Sequence, residues 1–170
     1  MADPLRLRVM KALTAALQEI TPANGYTVDL SEAVFRGRMM FGDDDPIPMV
    51  SILEPPVAPD QLPQPVDGTE SNGDWDILVQ GFVEDDPENP TDPAYVLLAD
   101  VKKCLAAVKA APEVTRRATG TAPAILEIPQ ITKLQVGAGV VRPADEISAR
   151  AYFWLNLVFT IAEDLTNPYE

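Results

Sequence analysis

Apolar residues recur at helical spacing at the start of this chain. Leu5, Val9, Leu13, Leu17 and Ile20 share one side, while Arg8, Lys11, Gln18 and Glu19 fall mostly on the other. The spacing predicts a helix, with Asp3 as its cap and Pro4 at its first position. Thr21-Pro22-Ala23-Asn24-Gly25 ends it with two helix breakers. The period then changes to two. Short strands are expected at 26–29 and 34–36, a loop or hairpin arm at 37–48, and an apolar strand at 48–54 carrying Met49, Val50, Ile52 and Leu53. Residues 55–73 are rich in Pro, Asp and Gly with little to bury, so a mobile excursion is expected there.

Residues 74–84 alternate, with Trp75, Ile77, Val79, Gly81 and Val83 on one face. A second helix is expected over 92–111, capped by Asp92 with Pro93 at its first position and stopped by Pro112. Its apolar stripe is Val96 or Leu97, Val101, Cys104 or Leu105, and Val108. Residues 125–136 contain a further strand, and Gly137-Ala138-Gly139 breaks it. The last strand is the clearest element. Ile147, Ala149, Ala151, Phe153, Leu155, Leu157, Phe159 and Ile161 all lie on one face. At about 3.3 Å per residue it would span roughly 50 Å. Strands usually run about 3–10 residues, so this one must bend at a bulge or project beyond the domain. Phe153, Leu155 and Leu157 are expected at the centre of the core, against Val9, Leu13 and Leu17 of the first helix.

Two helices among several strands, without strict alternation, predict an α+β fold. It should be a single domain over residues 1–170, with a mainly antiparallel sheet and both helices on one face. The chain of 170 residues is long enough for such a core.

Charge changes the picture. Between Met39 and Val101 there are fifteen Asp and Glu and no Lys or Arg, whereas the rest of the chain holds eleven acids and thirteen bases. The net charge of -13 is therefore local. A single-sign field repels phosphate and argues against nucleic-acid grip, which needs Lys and Arg. It suits a soluble surface, a basic partner, or nucleic acid sliding past. No apolar stretch approaches the ~20 residues of a membrane span, and the chain enters its first amphipathic helix with no secretory leader expected.

Chemistry finds little purchase. Histidine is absent, which removes the commonest general base and metal ligand. Cys104, the single cysteine, falls on or near an apolar stripe and reads as a core residue rather than a nucleophile. Asp43-Asp44-Asp45 is contiguous, and cannot easily turn three carboxylates onto one cation. That triplet, and Asp85-Asp86 beside Glu84 and Glu88, read as solvated acidic loops. No catalytic, cofactor-binding or metal residue is assigned. On the last strand, Arg150, Tyr152 and Trp154 lie opposite the core face. They are either covered by a loop or helix, or form a subunit contact, where aromatics and Arg are enriched.

Several stretches together resemble the tail terminator (tail completion) proteins of long-tailed bacteriophages. They are Val34-Phe35-Arg36-Gly37-Arg38, Pro46-Ile47-Pro48-Met49-Val50-Ser51-Ile52, and Trp75-Asp76-Ile77-Leu78-Val79-Gln80-Gly81-Phe82. Asp85-Asp86-Pro87-Glu88-Asn89-Pro90-Thr91-Asp92-Pro93-Ala94-Tyr95, Val141-Arg142-Pro143-Ala144-Asp145-Glu146-Ile147-Ser148 and Asn167-Pro168-Tyr169 complete the set. The resemblance spans nearly the whole chain. It implies a structural, non-enzymatic virion subunit at the head-proximal end of the tail, assembled in the host cytoplasm. Six copies would form a ring on the last tail-tube ring, end tube polymerisation and present the surface that joins the head-tail connector. DNA would pass through the hole unbound; no cofactor and no membrane are implied. Under that implication Asp43, Asp44, Asp45, Asp85 and Asp86 would face the lumen or rim, and Arg150, Tyr152 and Trp154 would contact a neighbour. Another neck or tube subunit, a carboxylate- or metal-dependent hydrolase, and a small acidic adaptor are the alternative readings.

Overall fold

The computed structural model describes residues 3–63 and 65–169. The helix Leu5–Gln18 (α1) buries Leu5, Val9, Leu13 and Leu17 on one stripe, as the spacing predicts. Its start differs. Pro4, not Asp3, stands at the cap, and Asp3 instead pairs with Lys11 at 2.6 Å. One of the orphan amides at the helix start finds a partner far along the chain: Leu5 N–H donates to Pro168 O at 2.9 Å.

The strands are Val34–Arg36 (β1), Met49–Leu53 (β2) and Glu70–Val83 (β3). After the helix Asp92–Thr119 (α2) come Ile131–Val136 (β4), Val140–Arg142 (β5) and Ala151–Asp164 (β6). The sheet runs β1-β2-β3-β6-β4, with β5 also pairing β6. All pairings are antiparallel except β1 with β2. The α+β architecture is thus as expected, with six strands distributed differently along the chain. Residues 26–29 form no strand, because the Thr27 and Val28 amides donate to Asp100 Oδ2 of α2, at 2.6 and 3.0 Å. In exchange β5, which the glycine break concealed, joins β6 beyond Gly139.

α2 is longer than expected. Thr91 caps it, Asp92 and Pro93 are its first two residues, and Pro112 lies inside it. Proline removes one backbone hydrogen bond, yet the helix continues to a left-handed Gly120, whose N–H bonds Arg116 O. Glu113 clamps this last stretch by pairing with Arg116 and Arg117 at 2.8 and 3.0 Å. Within the stripe, Leu97, Val101, Cys104 and Leu105 are buried and Val96 is exposed.

β3 and β6 pair through fourteen consecutive positions, from Glu70↔Asp164 to Val83↔Ala151. The last strand therefore starts later than its pattern suggested, leaving Ile147 and Ala149 exposed. Asp145 Oδ1 takes the Ile147 and Ser148 amides, and Ser148 Oγ takes that of Arg150. These side chains compete with the ladder for the backbone. The far end does not dangle. Ile131 of β4 pairs with Ile161, Glu163 meets Arg6 of α1 at 3.6 Å, and Leu165 N–H bonds Thr69 O at 2.7 Å. The irregularity falls on the neighbour, where β4 carries Thr132 as an extra residue between Ile131 and Lys133.

Phe153, Leu155 and Leu157 are fully buried, as expected. They share one core with Val9, Leu13 and Leu17; α2 is the helix that runs nearest β3 and β6, while α1 lies along β1 and α2 and reaches β3 and β6 through Arg6, over Trp75 and beside Glu163. The 55–73 excursion is shorter than expected, since Glu70 to Gly73 already belong to β3.

Candidate interaction face

The two helices cover one face of the sheet. The other is built from the alternate residues of the same strands. At one end it carries Asp74 and Asp76 of β3 beside Thr160 and Asn156 of β6, joined by Thr160 Oγ1 to Asp74 at 2.6 Å and Asn156 Nδ2 to Asp76 at 3.2 Å. Toward the other end stand Gln80 and Phe82, opposite Trp154 and Tyr152.

That second end is covered by the chain between β1 and β2. Gln80 Nε2 donates to the carbonyls of Arg38 and Met39 at 2.9 and 3.1 Å, and Ser51 Oγ donates to Arg38 O at 2.6 Å. Phe41 packs on Phe82 at 5.2 Å between ring centroids, Phe82 on Tyr152 at 6.3 Å, and Tyr152 on Trp154 at 5.4 Å. Aromatic pairs at such separations add to simple burial. The four rings form a chain of apolar contacts across this face, with Phe82 and Tyr152 part of the core and Phe41 packed against it.

The three strand residues singled out for a subunit contact therefore divide. Tyr152 is fully buried and donates its hydroxyl to Asp145 Oδ2 at 2.9 Å. Burial first, and the bonded carboxylate second, push its phenol up from the ordinary value. It is a core residue, covered by a loop. Arg150 is half-buried, pairs with Glu84 and lies over the Phe41 ring at 5.8 Å. Trp154 alone presents a large apolar surface, at 37% exposure.

The acidic candidates divide too. Asp45 pairs with Arg38 and takes the Gly42 amide, and that amide together with the guanidinium holds its carboxyl below the usual range. Asp85 accepts the Ala151 amide and so helps to start β6. Asp86 accepts the amides of Glu88 and Asn89 at 2.9 and 2.6 Å, shaping the turn into α2. Asp43 and Asp44 are exposed, with no hydrogen-bonded or ionic partner among the described residues. Of the contiguous triplet, Asp45 alone is engaged by its own chain among the described residues. No group of three or more His, Cys, Asp or Glu converges among the described residues.

Cys104 is buried against α1, with Sγ 3.2 Å from Ala16 O, and burial pushes its thiol up. A thiol held protonated is a poor nucleophile. Asp100 is the functional-looking acid that sequence reasoning passed over. It is buried within α2 and organises the 26–29 loop. The signal available was a lone Asp at a helix position otherwise next to the apolar stripe. Among the described residues no helix is long and apolar enough to cross a membrane.

No protein-family model matches the chain, and no curated protein matches it.

Proposed function

We propose that this chain is the subunit of a structural ring, of tail terminator kind, that caps a tail tube, ends its polymerisation and offers the surface to which a head connector joins. The reading rests on the resemblance carried by the segments 34–38, 46–52, 75–82, 85–95, 141–148 and 167–169. The structural observation that supports it is the sheet face left open by the helices. There Trp154 stands partly exposed beside Gln80 and Asn156, Asp74 and Asp76 lie toward the far end of the same face, and the neighbouring loop carries Asp43 and Asp44, which have no partner among the described residues.

An apolar anchor ringed by polar groups is the make-up of a protein contact. Acidic side chains at a lumen or rim would let DNA pass without being held. Terminator action needs one ring face that fits the tube end and another that cannot template a further tube ring. No step of covalent chemistry is required, and the ring would act in the virion, at the head-proximal end of the tail, after assembly from six copies.

The test is tube assembly in vitro, with and without the protein. Tubes of bounded length with ring density at one end are expected. Tubes of unlimited length at saturating protein, with bare ends, would overturn the reading in favour of a neck subunit or an acidic adaptor.

A further inference from the structure

A groove runs between α2 and the β4–β5 turn. It consists of two adjoining depressions of about 500 and 650 Å³ that share Lys102 and Ala138. Its charge is opposite to that of the molecule. Lys102, Lys103 and Lys109 line it, three of the five lysines in the chain, and no acidic side chain does. None of the three forms an ion pair among the described residues. Two of the ammonium groups rest on backbone oxygens, Lys102 on Ala138 O at 3.0 Å and Lys103 on Gly25 O at 2.6 Å. The walls are apolar, and Tyr95 stands exposed at one end.

The connection from β2 to β3, residues 54–69, is the complement of this groove. Every described residue from Pro56 to Thr69 is exposed. It carries Glu54, Asp60 and Asp67 and no base. Val57, Leu62 and Val66 are apolar side chains with about half of their surface exposed. Ala58 (φ -69, ψ 151) and Leu62 (φ -61, ψ 143) are extended on either side of a single 3-10 turn at Pro59–Gln61.

Sheet order separates the two. The arm leaves from the β2 side of β3, and the groove lies beyond β6, at the β4–β5 side. Complementary surfaces on opposite edges of one subunit make a head-to-tail contact, which closes into a ring when the rotation allows.

We propose that the 54–69 arm of one copy docks in the lysine-lined groove of the next. The inference names the contact of the ring proposed above and rests on that reading. Asp60 and Asp67 would face Lys102 and Lys109, with Val57 and Leu62 against the apolar walls and a proline against Tyr95.

The experiment uses two full-length variants, K102E/K109E in the groove and D60K/D67K in the arm, measured by sedimentation with the wild type. Asp60, Asp67 and Lys109 are exposed and Lys102 is half-buried, so unchanged melting temperatures are the control for folding. Each variant alone should associate at least tenfold more weakly than the wild type. An equimolar mixture should recover rings, because each arm then meets a groove of opposite charge, in strict alternation around an even-numbered ring. Variants that assemble alone like the wild type, or a mixture that recovers nothing, would overturn the docking while leaving the ring standing. A wild type that stays monomeric at high concentration and on tube ends would overturn both.

Discussion

Gly81 of β3 and Phe153 of β6 are register partners, and the Phe153 ring occupies the space a side chain at position 81 would need. A Cβ there would lie 2.8 Å from Phe153 Cζ and 2.9 Å from Leu97 Cδ2 of α2. The missing side chain lets the helix and the ring close over the centre of the sheet. Gly81→Ala should therefore destabilise the fold by about 1–3 kcal/mol through overpacking. A shift of the urea midpoint to lower concentration, with unchanged slope, is the expected readout.

Asp100 ties the loop after α1 to α2 through two amides. Asp100→Ala leaves both amides without their acceptor and should cost about 2–3 kcal/mol. Hydrogen exchange at Thr27 and Val28 should accelerate more than exchange within β3. Equal acceleration everywhere would mean the carboxylate does nothing local.

Stability should fall in acid partly through Asp145. The Ile147 amide foremost, then the Tyr152 hydroxyl, the Ser148 amide and Arg142, hold its carboxyl below the usual range, against the opposing effect of burial. A carboxyl depressed in the folded state stabilises the fold above its unfolded pKa, about 3.9. That contribution is lost as the pH falls through the lower folded value. Asp145→Asn should be less stable than wild type at pH 6, and the gap should narrow as both are titrated below pH 4. A gap that stays constant from pH 6 to pH 3 would contradict this.

Tyr152 and Trp154 are neighbours on one strand face with different consequences. Tyr152→Ala should cost about 3–5 kcal/mol, as for a buried ring. Trp154→Ala should cost less, because the ring is already half-exposed. Under the proposed function it should nevertheless impair capping of tubes. A Trp154 variant that caps normally would remove this residue from the contact.

Limited proteolysis of the isolated subunit should cut first between residues 56 and 69, where every described side chain is exposed and no strand or α-helix protects the backbone. A first cut inside α2 would contradict it.

Periodicity along the chain was enough to determine the α+β class, the buried stripe of α1, the core face of β6 and the burial of Cys104. In each, a regular element presents one apolar side to whatever covers it, and that side repeats locally in the sequence. The local signals failed where a distant partner took over the backbone. Residues 26–29 look like a strand, but Asp100, more than seventy positions away, takes two of their amides. Ile147 and Ala149 continue the alternation of β6, but Asp145 and Ser148 hold that backbone in a bend. Pro112 reads as a stop, yet only one hydrogen bond is at stake in a helix already anchored by Leu97, Val101 and Leu105. The candidate surface depended most on tertiary structure. Alternation places Arg150, Tyr152 and Trp154 on one face, but only the loop carrying Phe41 decides that Tyr152 is buried and Trp154 is not. The acidic run is plain in the sequence. Which of its carboxylates bind their own chain and which remain free depends on where the folded backbone places its amides and arginines.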